Sequence, residues 1–244
     1  MNCPKCGASQ PDGAIECSHC GVIFEKYRKY MLSKGCREAE VRQRMASLPI
    51  RDIANPVCFY GRVGVLAVLV CFSWRLIPAP VAANAAGESF LHLINLPFHE
   101  AGHILFRPFG SLITSLGGSL GQLLMPAVCL VALRFRARDA FGAAVCLWWL
   151  GENFLDMAPY IDDARSLSMP LLGGNLGHSS PYGFHDWEFI LTETGLLSYD
   201  HAIAAGAKYL GSFLMLGGML WAAYLLLAQY RVLQQSAPPR FNRK

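Results

Sequence analysis

The run Leu93-Ile94-Asn95-Leu96-Pro97-Phe98-His99-Glu100-Ala101-Gly102-His103-Ile104-Leu105-Phe106 sets His99, Glu100 and His103 into an otherwise apolar segment. Ionisable groups at membrane depth are costly and usually functional. A bound cation is the simplest compensation for such a cluster. His99 and His103 are four residues apart. On a helix that is about 40° of rotation and roughly 6 Å of rise, so both imidazoles face one side and can share an ion. Glu100 stands beside them. In zinc proteases the Glu of His-Glu-x-x-His is not a ligand but the general base for the metal-activated water. The bare pattern arises by chance in many soluble proteins. The apolar setting is what gives it weight here.

Similar apolar runs of about 20 residues, the length that crosses a bilayer, recur on both sides. They predict five spans, roughly 58–79, 89–107, 112–134, 139–160 and 202–229. The composition agrees: 53% of the 244 residues are hydrophobic and 16% charged, against about 25% charged in soluble domains. Mean hydropathy is +0.31. An ordinary soluble domain is excluded. The expected fold class is mainly α, a polytopic helical membrane protein with a small metal-binding unit in front.

That unit occupies residues 1–24. Cys3-x2-Cys6 and Cys17-x2-Cys20 form two knuckles, each placing two thiolates on one tight turn, and together they complete a tetrahedral structural zinc site. Gly7 and Gly21 follow the second cysteine of each pair, where a knuckle needs positive φ. So small a unit cannot fold on an apolar core, so the metal must stabilise it. A closed thiolate site is not catalytic, and a protein partner is the expected role for this ribbon. Cys36, Cys58, Cys71, Cys129 and Cys146 are scattered and read as reduced thiols.

Residues 25–55 form a basic juxtamembrane helix and linker, and 56–244 the transmembrane domain. The net charge of +4 owes much to Lys26, Arg28, Lys29, Lys34, Arg37, Arg42, Arg44, Arg51 and Arg62. Positive charge beside a first span predicts a cytoplasmic N-terminus and contact with the lipid surface rather than with nucleic acid. The first residues lack the apolar core of a signal peptide, so the first span is expected to serve as an uncleaved anchor. Strict alternation of five spans then puts Arg134, Arg136, Arg138 and the basic tail (Arg231, Arg240, Arg243, Lys244) on the wrong side. One remedy is a re-entrant, irregular backbone at 110–121. The other reading of that Gly-rich stretch is a helix-packing face running from Gly117 to Gly121. Both stay open.

Two imidazoles leave a zinc site short of a protein ligand. The fourth span offers Glu152 and Asp156, four apart on one face, and Asp163 lies seven further on, past a kink or end at Pro159. The loop 165–200 is long and rich in Gly and Pro. Its His185-Asp186 pair offers a further ligand with its partner, or a lid. Trp187 to Leu197 reads as a short amphipathic helix on the interface.

A His-Glu-x-x-His on one apolar helix, followed about 50 residues later by Asn153, Pro159 and Asp162-Asp163-Ala164-Arg165 at the end of another, resembles the site-2-protease-type intramembrane zinc metalloproteases. With its ribbon the chain is similar to a small bacterial branch of them. The resemblance covers roughly residues 89–165. It implies Asp163 as third zinc ligand, with Asp162 and Asp156 as alternatives beside His185. It implies a substrate groove shaped by Asn153 and Pro159, with Gly117 and Gly118 in a membrane-embedded hairpin that presents substrate. The chain lacks the family's Asp-Gly at the ligand position. The implied activity is cleavage of membrane-associated protein or peptide substrates in the bacterial inner membrane, with Glu100 as catalytic base. Two other readings stand beside it: a non-catalytic metal-binding sensor or scaffold, and a membrane enzyme acting on a lipid or small amide.

Overall fold

The helices begin where the sequence supplies caps. Asn55 accepts from Val57 N at the start of α2 (Pro56–Leu76), with proline at its first position. Ser89 accepts from Leu91 N at α3 (Phe90–Phe106), and Asp139 from Gly142 N at α5 (Ala140–Asp162). The computed structural model describes residues 1–47, 50, 52, 55–171 and 174–236. The remaining helices are α1 (Phe24–Ser47), α4 (Ser111–Val131), α6 (Asp186–Glu193) and α7 (Asp200–Ser236). Arg51 of the basic stretch, Leu172 and Gly173 of the long loop, and the tail residues Arg240, Arg243 and Lys244 lie outside the described residues.

Among the described residues three helices are long and apolar enough to cross a membrane: Pro56–Leu76, Ser111–Arg136 and Leu197–Gln234. That is fewer than the five spans expected. The other two expected spans do form helices. However, α3 has only 17 residues, and α5 carries Glu152, Asp156 and Asp162 along its length.

The packing is inverted relative to a water-soluble protein. Trp74 is 84% exposed, and Phe213 and Leu220 are each 72% exposed, while Asn95, Glu152, Asn153 and Gln229 are buried. Lipid reverses the usual preference, because apolar side chains facing hydrocarbon lose nothing and polar ones must find partners inside. α5 is the most enclosed helix. It lies between α7 and α4, with α3 packed on α4 and reaching α5 through the side chains of His92 and Asn95, and α2 against α7. Ala140, Phe141 and Ala144 of α5 pack on Ala222 and Leu225 of α7. At the other end, Met157, Ile161 and Ala164 pack with Leu191 of α6 and Ala204 of α7.

The 110–121 stretch resolves in favour of packing: it is continuous helix from Ser111, pressed against α3. A β-carbon on Gly117 would fall 2.8 Å from the Gly102 carbonyl oxygen, so only glycine permits this approach. Such close contact supplies the van der Waals attraction and backbone proximity that hold helices together in a lipid solvent.

Candidate metal centres

In the ribbon the two knuckles face one another. Gly7 N and Gly21 N donate to the carbonyls of Cys3 and Cys17, with φ of +76° and +66° at the glycines. Cys3 Sγ lies 3.8 Å from Cys20 Sγ, and Cys6 Sγ 3.7 Å from Cys17 Sγ. Four thiolates on zinc, at about 2.3 Å and tetrahedral angles, stand about 3.8 Å apart. The four cysteines form a cluster able to hold a metal ion, and their spacing fits zinc. The apolar support around it is slight: Phe24, Val22 and Ala14.

The second cluster is His99, Glu100 and His103, whose ligand atoms lie within 4.8 Å of one another. The carboxylate that faces both imidazoles belongs to Asp186. Its Oδ2 is 3.3 Å from His99 Nε2 and 3.3 Å from His103 Nε2. Ligand atoms on a tetrahedral zinc at bonds of about 2.0–2.1 Å stand about 3.3 Å apart, so these residues fit the ion. His103 Nδ1 lies 2.8 Å from the Thr114 carbonyl. A carbonyl oxygen only accepts, so Nδ1 carries a proton, and Nε2, turned to Asp186, is the nitrogen that can ligate. Gly118 makes room beneath the pair, since a β-carbon there would sit 2.6 Å from His103 Nε2.

Asp186 reaches this position because α6 begins there. His185 caps the helix, its Nδ1 accepting from Glu188 N at 3.1 Å. Asp186 N donates to the Tyr160 hydroxyl at 3.0 Å, tying α6 to α5. The two rings behind it, Tyr160 and His185, lie 4.2 Å apart between centroids.

A polar network continues inward. His99 Nδ1 meets Gln122 Oε1 at 3.2 Å, and Gln122 Nε2 donates to Asp156 Oδ2 at 2.8 Å. Asn95 Nδ2 donates to both Glu152 Oε2 (2.9 Å) and Asp156 Oδ2 (3.2 Å), and Trp149 Nε1 donates to Asn95 Oδ1 (2.8 Å). His92 Nδ1 is 2.9 Å from Asp156 Oδ1.

The residues named from sequence are distributed otherwise than expected. Asp163, the first choice of ligand, is turned into the loop that follows α5. Its Oδ1 accepts from Ser166 Oγ, Ser168 N and Ser168 Oγ, and its Oδ2 from Met169 N. Burial pushes this carboxyl upward, but those hydroxyls and amides outweigh it and hold it below the usual carboxylate range. With its oxygens so engaged, Asp163 organises the loop and lies outside the cluster around His99 and His103. Asp162 pairs with His201 (2.6 Å). Asp156 supports the cluster from behind. His185 is a helix cap whose Nε2 faces Asp163 Oδ2 at 3.5 Å. Asn153 is fully buried with its amide on the Trp149 carbonyl. Gly117 and Gly118 lie in the α3–α4 contact.

Pro159 does line a cavity of about 1020 Å³ that opens over His99, Glu100, His103, Asp186 and Tyr160. Asp186 is not among the ligands expected from the sequence, where it stands only as the partner of His185 in a long loop. No spacing rule connects it to His99. Gln122 gave a faint signal, as a lone amide within an apolar run. No family model, curated protein or solved structure matches the chain.

Proposed function

We propose that the chain is an intramembrane zinc-dependent endopeptidase, with His99, His103 and Asp186 as ligands and Glu100 as general base. The observation that carries this reading is the triangle of His99 Nε2, His103 Nε2 and Asp186 Oδ2, with both imidazole–carboxylate edges 3.3 Å long, set beside Glu100 at the base of a large open cavity. Three protein ligands with one side open is the arrangement of catalytic zinc, whereas closed sets are structural. A zinc ion bound there supplies a Lewis acid that polarises a water and the scissile carbonyl.

The chain's own groups do the rest. Glu100 takes the proton of the attacking water and returns it to the departing amide nitrogen. Tyr160 and His185 hold Asp186 in place. The apolar outer faces of α3, with Leu93, Ile104 and Leu105 exposed, support embedding of this short helix and of α5 beside the three longer ones. The substrate is then a membrane-embedded or juxtamembrane peptide segment. The basic stretch supports a cytoplasmic N-terminus in a bacterial inner membrane, with the zinc ribbon as a docking module for a protein partner.

The test is Glu100→Gln in the purified full chain, assayed on a helical membrane peptide. Cleavage should fall by about 10²–10⁴-fold while metal content stays at the wild-type value. Unchanged turnover would remove Glu100 as the base, and no turnover in the wild type with metal bound would leave the sensor or scaffold reading in its place.

A further inference from the structure

The hydrogen bonds beneath His99 have a direction that follows from the chemistry of each group. Asp156 Oδ2 is 2.8 Å from Gln122 Nε2. A carboxylate only accepts, so the Gln122 amide turns its NH2 toward Asp156 and its oxygen toward His99. That oxygen also only accepts. The ring nitrogen 3.2 Å away, His99 Nδ1, therefore carries a proton, which leaves Nε2 as the nitrogen that can offer a lone pair to an ion. His99 Nε2 is the atom that faces Asp186.

The arrangement is held from three helices: His99 on α3, Gln122 on α4 and Asp156 on α5. Gln122 and Asp156 are 4% and 6% exposed, so water does not compete for these bonds. Asp156 is itself fixed by Asn95 Nδ2 at 3.2 Å and by His92 Nδ1 at 2.9 Å. A buried glutamine on an otherwise apolar helix needs partners of some kind. It does not need a carboxylate on one side and an imidazole on the other.

We propose that Gln122 and Asp156 are positioning residues, an Asp156–Gln122–His99 relay that locks His99 in the tautomer whose Nε2 is free for a metal ion. The relay rests on the proposed function for its purpose, since its end product is a zinc ligand. A hydrogen-bonded partner on the far ring nitrogen fixes both the orientation and the basicity of a ligating histidine. His103 obtains the same tautomer more directly, from the Thr114 carbonyl. The relay differs in carrying a negative charge at its far end.

The experiment uses the full chain in detergent with 15N-labelled histidine. Two variants break the relay differently. Gln122→Met keeps the length and removes donor and acceptor. Asp156→Asn keeps the shape but offers an NH2, which lets the Gln122 amide turn over and present its own NH2 to His99. In the metal-stripped wild type, His99 should be protonated on Nδ1; in both variants the Nε2-protonated form should appear. Zinc titration should show two equivalents in the wild type. In the variants the bundle site should weaken by about 10–100-fold, with the ribbon site unchanged as internal standard and helical circular dichroism retained. His99 without a proton on Nδ1 in the wild type, or tautomer and affinity both unchanged in the variants, overturns the relay. A single zinc equivalent in the wild type overturns the proposed metal site instead, an outcome that the tautomer spectrum distinguishes from failure of the relay. If Gln122→Met does not fold, the isosteric Asp156→Asn decides alone.

Discussion

The two clusters that could hold a metal ion among the described residues are built in opposite ways. The ribbon gathers four cysteines from residues 3–20, two tight turns and almost no apolar support. The bundle cluster joins His99 of α3 to Asp186 of α6, 87 residues apart in the chain, through a scaffold of packed helices. The ribbon set is closed by thiolates on all sides. The bundle set leaves one side facing a cavity of about 1020 Å³. A closed set can be encoded locally, because its only task is to hold the chain to the ion. An open set must keep its ligands in place with one position unfilled, and only a rigid surrounding structure does that.

This contrast can be broken most sharply at the ribbon. Structural zinc contributes on the order of 10–16 kcal/mol of apparent folding free energy in units of this kind, far more than Phe24, Val22 and Ala14 supply by burial. Cys17→Ser, or a chelator, should collapse the amide dispersion of residues 1–24 in NMR spectra while the helical circular dichroism of the bundle persists. Loss of both together would show that the two regions are one folding unit.

The next effect separates the two acids. Asp186→Ala should take the zinc content of the chain from two equivalents to one. Asp163→Ala should leave both equivalents bound and instead make the segment 164–171 more susceptible to protease. The opposite pattern would restore Asp163 as the ligand. The smallest effect is steric. Gly118→Ala pushes a methyl group toward His99 and His103, at a cost of about 1–3 kcal/mol for overpacking. Thermal unfolding should shift for the bundle, and the bundle zinc should weaken, with no change at the ribbon. An alanine tolerated without either effect would mean that α3 and α4 are free to separate.

The helices themselves were largely legible. Caps at Asn55, Ser89 and Asp139 and the apolar runs between them mark α2, α3 and α5 to within a few residues of the expected spans. Among the described residues, what length and composition alone support is three crossing helices rather than five. The shortfall falls on α3, which is only 17 residues long, and on α5, whose Glu152, Asp156 and Asp162 interrupt its apolar run. The Gly-rich stretch 110–121 shows a different limit. Glycine spacing is equally compatible with irregular backbone and with a packing face, and the partner, Gly102, decides between them.

By itself the sequence determined the four-cysteine ribbon, the pair of imidazoles on one helical face with Glu100 beside them, and the apolar exterior that needs lipid as solvent. Each depends on residues close in the chain, where helix pitch and turn geometry convert spacing into position. Only the tertiary structure decided that Asp186 and not Asp163 faces the histidines, and that Gln122 bonds both Asp156 and His99. Both acids stand near the end of a helix and are chemically alike. Asp163 is saturated by Ser166, Ser168 and Met169 within its own loop, whereas Asp186 is carried to the imidazoles by a helix capped by His185 and held by Tyr160. Which carboxylate remains available is a matter of who else bonds it, and that is settled by packing between distant segments.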